Sequence, residues 1–535
     1  MSSLSSNQEE QQRTVSEYRI LALYRFIPLV TPQTNQTSTT TQESWDEQTI
    51  MKHPERHPQL LQLQSELYAT LRRYETRGTL LIAPEGINGT ICYPYPPPPT
   101  AVGIDDANDG NNVGEYDSED DPVKSFISNH PLFGGEGLRT RSSVWKEHQT
   151  NDDCDDNNNN TINDNKNSRS DSITSDTTTQ QTNNNRPQQA FQRLKIKIKP
   201  EIVTLGLGRP ITNTTTHKPT PIPQRHAYNQ LANPNITKGQ YLNPKQWDDA
   251  MKDPNVLVID TRNSYEIDIG SFESAVDPRT RHFSEFPEYL ERLAGEYDWS
   301  QRDQEQQQQQ DEKKQQQVQN DGNGDGSNDT SSNEQPKKKP PPTAIAMFCT
   351  GGIRCEKATS YALQSNLFPQ NLPIYHLEGG ILSYLDDVAK REKQEEGEGS
   401  SSTFHGECFV FDKRVALTEG LEPSNKYISC HGCRGPMDRR LLEEVEDGET
   451  NYDAGSNADL EKKRQEYEQL LMGIRNLPPL TYDSNSQRWY VPGLTCPRCH
   501  DGTTRESFER FAQRKEQMEI CAREGKSHFQ DNGRK

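Results

Sequence analysis

Four segments of low sequence complexity limit how this 535-residue chain can fold. They are a Pro-rich and acidic segment (94–121), an Asn/Asp/Thr-rich segment (150–189), a Gln-rich and then Lys/Pro-rich segment (301–342) and a short acidic segment (444–459). Only 29% of the chain is hydrophobic, and segments of this composition cannot bury enough apolar surface to offset the entropy lost on ordering. We therefore predict disordered inserts that leave from surface loops, while the remaining sequence supplies the core.

The sequence between the inserts predicts three folded blocks. In the first, strand and helix patterns follow each other as in a small α+β sandwich of ferredoxin-like type. In the second, apolar strands at 256–259 and 344–348 alternate with helices, which predicts an α/β domain with a parallel sheet covered on both faces. The third is small and cysteine-bearing, and it ends in a helix predicted over 505–523. After a tail at 1–17, the predicted domains are 18–210, 225–400 and 401–535.

Charge and targeting signals indicate the setting in which the protein works. The formal net charge is -20, but the acidic residues crowd into inserts at 105–121 and 152–171, so an RNA partner is compatible with it. No apolar run approaches the roughly 20 residues that cross a bilayer, and the N-terminus lacks the order of a secretory signal. Ten cysteines, including two C-x-x-C pairs, suit metal binding and thiol chemistry in a reducing compartment. We expect a cytoplasmic protein that spans no membrane.

A cysteine between a predicted strand and a predicted helix is the strongest sign of chemistry. Cys349 directly follows the apolar strand 344–348. Gly351 and Gly352 let the backbone turn tightly, so that several N–H groups point inward. Those donors, the positive end of the helix dipole and Arg354 stabilise an anion, so we expect a lowered thiol pKa and a nucleophilic thiolate or persulfide. The alternative is a buried structural cysteine. The loop reads Cys349-Thr350-Gly351-Gly352-Ile353-Arg354.

Three nearby residues each have two possible roles. Cys355 either resolves a persulfide or sulfenate on Cys349 or packs under the helix. Asp260 and Arg262, at the end of the other apolar strand, either contact the substrate or form an ion pair that ties the strand end to the next loop.

The number of residues between Cys349 and Arg354 separates two kinds of anion-binding loop. Tyrosine-phosphatase-like enzymes have five intervening residues, whereas this chain has four, which resembles the active-site loop of single-domain rhodaneses. Upstream, Asp260, Arg262 and Glu266 resemble the Asp-x-Arg-x-x-x-Glu element of that family. Downstream, the segment 376–381 resembles its closing Leu-x-Gly-Gly segment.

Six further motifs resemble a narrower family. Over nearly everything outside the inserts, the chain is similar to the bacterial tRNA uridine(34) hydroxylases of the rhodanese class. It resembles a eukaryotic member of that family with low-complexity insertions. The resemblance implies a ferredoxin-like domain joined to a rhodanese domain, and oxygen-dependent conversion of wobble uridine in tRNA to 5-hydroxyuridine at Cys349. The motifs lie at 24–29, 78–90, 241–244, 259–263, 349–357 and 406–412.

A basic strand is the predicted contact with tRNA. Its positively charged residues alternate with Leu and Ile, so they share one face, which is either an RNA contact or simply a solvated surface. No flavin or haem motif and no facial triad for iron is evident, so the oxidising species would form at Cys349 or on an unseen cofactor, with a small-molecule sulfur or electron donor as a further partner. The predicted RNA-binding residues are Arg193, Lys195, Lys197 and Lys199.

Two C-x-x-C pairs in the last block predict a structural Zn²⁺ site. The pairs are Cys430 with Cys433 and Cys496 with Cys499, separated by a stretch that contains an acidic insert. Four thiolates make a closed tetrahedral shell, which holds together a small domain that lacks enough core of its own. The alternative is reduced cysteines or a redox pair.

Three functions fit these motifs. The first is a tRNA-modifying oxidoreductase, the second a thiosulfate sulfurtransferase or persulfide carrier, and the third a non-catalytic scaffold that recruits partners through its inserts. The intact Cys349 and Arg354 argue against a scaffold. The ferredoxin-like block favours the first function, because a sulfurtransferase has no need of it. No pattern identifies the electron donor, the tRNA species or the oligomeric state.

Overall fold

The computed structural model describes residues 17–30, 47–95, 121–145, 191, 193–206, 232–299, 339–394, 402–443, 458–474 and 477–523. The tail 1–16 and most of the predicted inserts, at 96–120, 150–189, 301–338 and 444–457, lie outside the described residues. Ends of three predicted inserts belong to the described structure, contrary to the prediction: 94–95 with 121, 339–342, and 458–459, which begin a helix. Pro94 and Tyr95 continue a strand. Asp121 is buried, and its carboxylate caps the helix that follows by accepting hydrogen bonds from the backbone N–H groups of Val123 and Lys124.

The N-terminal part forms a five-stranded sheet in the order β4-β1-β3-β2-β5. Pairing is antiparallel from β4 to β2, and β5 adds to the edge in parallel with β2. This arrangement confirms the predicted α+β sandwich, while β4 is a strand that the sequence patterns missed. The elements are β1 (Glu17–Phe26), α1 (Glu47–Lys52), a 3-10 turn (Pro54–Arg56), α2 (Pro58–Arg73), β2 (Arg77–Ala83), β3 (Gly86–Tyr95), α3 (Pro122–Ser128), β4 (Arg139–Trp145) and β5 (Leu194–Ile198).

The two faces of this sheet have different partners. Helix α2 turns Leu60, Leu63 and Leu67 toward one face, because residues three and four apart share one side of a helix. Side chains alternate along β1, so Leu23 joins that core while Tyr24 points to the opposite face. The opposite face packs against the central part of the chain, which is how the two parts come to share a cavity.

The central part is built on a parallel sheet in the order β6-β10-β9-β7. Every residue of β9 is buried: Ile345 and Met347 face one core cluster, and Ala346 and Phe348 face the other. Helices cover both faces, which confirms the predicted α/β sheet. The elements are β6 (Gln240–Leu242), α4 (Pro244–Met251), β7 (Val256–Asp260), α5 (Ser264–Ile267), β8 (Gly270–Phe272), a 3-10 turn (Phe283–Glu285), α6 (Phe286–Glu296), β9 (Ala344–Phe348), α7 (Ile353–Gln364), β10 (Ile374–Leu377) and α8 (Gly380–Gln394).

The C-terminal part consists of short strand pairs and four helices among the described residues. Strand β11 pairs with β8 of the central part, whereas β12 with β13, β14 with β15 and β16 with β17 form separate pairs. No helix within the described ranges is long and apolar enough to cross a bilayer. The elements are β11 (Phe404–Gly406), β12 (Cys408–Phe409), β13 (Ala416–Leu417), β14 (Tyr427–Ser429), β15 (Pro436–Asp438), α9 (Arg440–Glu443), α10 (Ala458–Leu471), β16 (Thr481–Asp483), β17 (Arg488–Tyr490), α11 (Pro497–His500) and α12 (Arg505–Arg523).

Candidate active site and metal centre

The cysteine loop lies at the carboxyl end of the parallel sheet, between β9 and α7. Gly352 has a φ of +95°, and its N–H donates to the Cys349 sulfur at 3.1 Å. From the other side, a Cβ on Gly380 would lie 2.4 Å from the Cys349 carbonyl oxygen, so only glycine fits there. The N–H of Ile381 donates to that same oxygen at 2.9 Å. Two chain segments therefore hold the loop in one shape.

The Cys349 sulfur is held as a thiolate near neutral pH. Burial alone would raise its pKa, but the Cys355 thiol and the Arg354 charge, together with the N–H groups of Cys355 and Gly352, outweigh burial and lower the pKa to about 6. Cys355 itself is fully buried, and burial together with the neighbouring thiolate raises its pKa well above the usual range. The Cys355 thiol therefore stays protonated beside the Cys349 thiolate.

Arg354 is fixed by a carboxylate that the sequence patterns assigned no role. Its guanidinium donates two parallel hydrogen bonds to Glu266, at 2.8 and 2.7 Å, and the Glu266 side chain is fully buried. Burial would lower the Arg354 pKa, but Glu266 and the Cys349 thiolate raise it further above its usual value. The arginine therefore stays charged and points in one direction beside the sulfur.

Asp260 and Arg262 form the buried ion pair that was one of their two predicted roles. Both side chains are fully buried, and Arg262 donates to Asp260 at 2.6 Å and to the Gly270 carbonyl at 2.6 Å. Neither residue lines the cavity in front of Cys349. Their pairing ties the end of β7 to β8, because a buried charge needs an opposite charge and further hydrogen bonds.

A cavity of about 1040 Å³ opens in front of the cysteine loop. Its floor includes Cys349, Gly351 and Arg354, and its opposite wall is the face of the N-terminal sheet that carries Tyr24 and Leu81. A Cβ on Gly351 would meet no atom within 4 Å, so the loop leaves open space there. Cys349 is only 1% exposed, which places its sulfur at the bottom of the cavity.

Two consecutive residues of α7, Glu356 and Lys357, contact the N-terminal part of the chain. Glu356 of α7 accepts hydrogen bonds from the hydroxyls of Tyr24, at 2.9 Å, and Tyr241, at 2.6 Å. Burial and then the Glu356 charge raise the pKa of Tyr24 well above 10, so its phenol remains a donor. Because Tyr24 lies on β1, the N-terminal sheet helps to position α7.

The second contact is a buried cluster around Lys357. Its ammonium group lies 2.9 Å from both carboxylate oxygens of Glu85, 2.6 Å from Glu201 and 3.0 Å from the Val203 carbonyl. Burial would lower the Lys357 pKa, but the two carboxylates raise it. Glu85 lies in the turn between β2 and β3, so this ion pair also joins the N-terminal sheet to α7.

The predicted RNA-binding strand is β5, and its basic residues face the cavity side of the sheet. Pairing places Lys195 beside Thr79 and Lys197 beside Leu81, and both β2 residues line the cavity. Lys199 lines the cavity itself.

Positive charge extends from β5 to the C-terminal part. Partial burial, followed by the charges of Arg193, Lys197 and Arg514, lowers the pKa of Lys195. Arg514 is an exposed residue of α12. The basic strand therefore has a basic neighbour on a different part of the chain.

The two C-x-x-C turns come together as the sequence predicts. Sulfur-to-sulfur distances are 3.7 Å for Cys430–Cys499, Cys433–Cys496 and Cys496–Cys499, and all four sulfurs lie within 4.8 Å of one another. A metal–sulfur distance of about 2.3 Å in a tetrahedral site implies sulfurs about 3.8 Å apart. The spacing fits one tetrahedral metal ion and is too long for disulfides.

Sequence reasoning missed three contributors to the site: Glu266, Glu356 and Tyr24. Glu266 was part of a quoted motif but had no partner in sequence, because Arg354 follows it 88 residues later. Tyr24 and Glu356 are 332 residues apart. The signal that could have found all three is their place in the motifs that carry the family resemblance.

Comparison with known proteins adds three findings. Residues 56–102 match the family model described as UPF0176 acylphosphatase like domain. A protein named tRNA uridine(34) hydroxylase, from Teredinibacter turnerae, is 32% identical over 344 residues, which are 64% of this chain and 69% of that protein. A solved structure from Rhodopseudomonas palustris, described as a protein of unknown function and possible tyrosine phosphatase, is 18% identical with a TM-score of 0.16, covering 32% of this chain and 96% of that chain. A score this low supports no conclusion about fold or function.

Proposed function

The chain belongs to the tRNA uridine(34) hydroxylase family, and on that premise we propose that it hydroxylates the wobble uridine of tRNA at C5, with Cys349 as the catalytic group. One observation carries the proposal. The thiolate-stabilising loop forms the floor of a cavity of about 1040 Å³, and the opposite wall is a sheet face that bears basic residues. A cavity of this size accommodates a nucleotide that is turned out of its strand.

The proposed reaction replaces the C5–H bond of uracil with C5–OH. One atom of dioxygen enters that bond and the other leaves as water, so a donor outside this chain supplies two electrons and two protons. Cys349 supplies the nucleophilic and oxidisable atom at the cavity floor. Arg354 and the loop N–H groups keep that atom anionic between turnovers.

We propose that the central domain, 225–400, is of rhodanese type, between a ferredoxin-like domain (18–210) and a C-terminal domain (401–535). The metal at the four cysteines is then Zn²⁺, because four thiolates at this spacing match its preferred shell. A closed shell has no open coordination position, so the ion stabilises the C-terminal domain and takes no part in the reaction.

The basic face of β5 is the proposed contact with the tRNA backbone. The double variant Lys197→Ala with Lys199→Ala should bind tRNA more weakly, and the slope of log affinity against log salt should decrease by about 0.7 to 0.9 for each phosphate that the variant no longer neutralises. Lys252→Ala, at the residue that follows α4 and 75% exposed, is the matched control and should leave both quantities unchanged. Equal affinity and slope in the double variant would remove this strand from the proposal.

The hydroxylase proposal is tested by expressing the chain in cells that lack wobble-uridine hydroxylation and analysing their tRNA nucleosides by mass spectrometry. The wild-type chain should restore 5-hydroxyuridine and its derivatives, Cys349→Ser should not, and growth under ¹⁸O₂ should label the new hydroxyl oxygen. Cys92→Ala, a buried cysteine of β3 outside the cavity, is the control for loss of a thiol. Restoration by Cys349→Ser would refute the proposed role of the thiolate.

The same loop favours a second candidate function, thiosulfate sulfurtransfer. In that reaction the S–S bond of thiosulfate breaks, the sulfane sulfur bonds to Cys349 as a persulfide and sulfite leaves; cyanide then removes that sulfur as thiocyanate and the thiolate returns. The Gly352 N–H, 3.1 Å from the sulfur, and the nearby Arg354 would stabilise the persulfide anion as well. Rapid thiocyanate formation by a protein that leaves tRNA unmodified would favour this function over the first.

A further inference from the structure

One exposed aromatic ring lies beside the cysteine loop, in a motif that the function proposed above does not use. Phe411 is 64% exposed and lines the cavity in front of Cys349. The Arg354 guanidinium carbon lies 5.8 Å from the centre of its ring. The other exposed large hydrophobic residues within the described ranges carry no aromatic ring.

The turn that carries Phe411 is closed by an ion pair and a backbone hydrogen bond. Asp412 and Arg414 form an ion pair with two hydrogen bonds, at 2.9 and 2.6 Å, and their side chains are only 4% and 9% exposed. The Val410 N–H donates to the Val415 carbonyl at 2.9 Å and closes the turn. The edge of the Phe411 ring also contacts Phe409, with ring centres 5.0 Å apart. The turn therefore holds the ring at the surface, and the ring is exposed although the surrounding segment is well structured.

A fixed, exposed aromatic face beside a cation binds flat, electron-poor rings. Nucleobases stack on aromatic side chains in RNA-binding sites, and a neighbouring guanidinium adds an electrostatic attraction to the π-system. Small sulfur donors such as thiosulfate have no ring that could use this surface. The ring, the thiolate and the cation line one cavity, which fits a single bound base.

We propose that Phe411 is the platform on which the pyrimidine ring of the substrate nucleotide stacks, which places the ring in front of Cys349. This inference rests on the function proposed above and names the residue that holds the base. Phe411 makes contact with the substrate but takes no part in bond making.

The test compares Phe411→Ala with Phe411→Trp. Alanine should lower kcat/KM for tRNA by about tenfold or more, since stacking on one aromatic residue has an effect of that size. Tryptophan keeps an aromatic face and should retain most of the activity. In both variants the rate at which iodoacetamide alkylates Cys349 should equal that of the wild type, because the thiolate donors are unchanged. Met472→Ala, an exposed residue outside the cavity, is the control and should behave as the wild type does.

A second measurement decides the proposal without turnover. In Phe411→Trp combined with Cys349→Ser, a tRNA anticodon stem-loop should quench the additional tryptophan emission, as stacking requires. An unquenched tryptophan, or a Phe411→Ala enzyme within twofold of wild-type kcat/KM, would overturn the stacking role and leave the hydroxylase proposal intact. A wild-type chain that forms no hydroxyuridine overturns the hydroxylase proposal, while the quenching result still decides whether a base stacks on residue 411.

Discussion

Replacing Cys355 with alanine should slow the alkylation of Cys349 at mildly acidic pH. Cys355 is fully buried, and its thiol and its backbone N–H are two of the groups that lower the pKa of Cys349. The alanine variant keeps the N–H, the Gly352 N–H and the Arg354 charge, but it loses the thiol donor. The variant therefore isolates one contribution to the low pKa of Cys349.

The size of the effect follows from the free energy of that hydrogen bond. The donors and the Arg354 charge together lower the pKa of the Cys349 thiol from 9.0 to about 6. A charge-assisted hydrogen bond contributes about 1.5 kcal/mol at the weak end of its range, which is roughly a tenfold change in an ionisation constant. At pH 6 the ionised fraction of Cys349 should thus fall from about one half to about one tenth, a fivefold slower alkylation. Above pH 9 both proteins are fully ionised and their rates should converge.

The assay follows iodoacetamide modification of the peptide that contains Cys349 by mass spectrometry between about pH 4.5 and about pH 9.5, a range that covers the expected midpoints of both proteins. The wild-type rate should rise with pH to a plateau, with its midpoint near 6. Cys355→Ser, which keeps a hydroxyl donor, should lie between the wild type and the alanine variant. A wild-type midpoint at the ordinary thiol pKa would refute the thiolate assignment. An unchanged midpoint in Cys355→Ala would refute the role of its thiol.

Three further predictions concern the surroundings of the site. Lys357→Met leaves the partly buried carboxylates of Glu85 and Glu201 without their partner, so the apparent free energy of unfolding in urea should fall by about 3 kcal/mol, the low end of the range for a buried pair. Lys390→Met, which breaks an exposed pair, should lower it by less than about 1 kcal/mol, and equal decreases would argue against a structural role for the Lys357 ion pair. Gly380→Ala places a Cβ 2.4 Å from the Cys349 carbonyl oxygen and should abolish the fast alkylation of Cys349 at pH 7. Gly420→Ala, where a Cβ meets no atom within 4 Å, is the control and should keep it. Fast alkylation in Gly380→Ala would show that the loop tolerates movement. Elemental analysis of the wild-type protein should find one zinc ion per chain, and Cys430→Ser should remove it and reduce the helical circular dichroism signal. A metal-free wild-type protein would refute the zinc proposal.

Local patterns in the sequence determined the elements that carry the chemistry. The apolar strand before Cys349, the two glycines after it and the C-x-x-C spacing are all short-range features, since strand burial, turn geometry and metal-ligand spacing each depend on a few neighbouring residues. The predicted helix 505–523 coincides with α12 for the same reason. The strand β4 escaped prediction because Arg139–Trp145 is mostly polar and lies at the edge of its sheet, where no alternation of apolar residues is needed.

Tertiary structure alone decided which groups complete the site. The partner of Arg354 is Glu266 because the parallel strands bring the ends of β7 and β9 together, and Tyr24 reaches Glu356 because one face of the N-terminal sheet packs on α7. Packing also buried Asp260 away from the cavity and left Phe411 within it. Such pairings depend on the order of the strands and on how two surfaces fit together. Neither can be predicted from the spacing of residues along the chain.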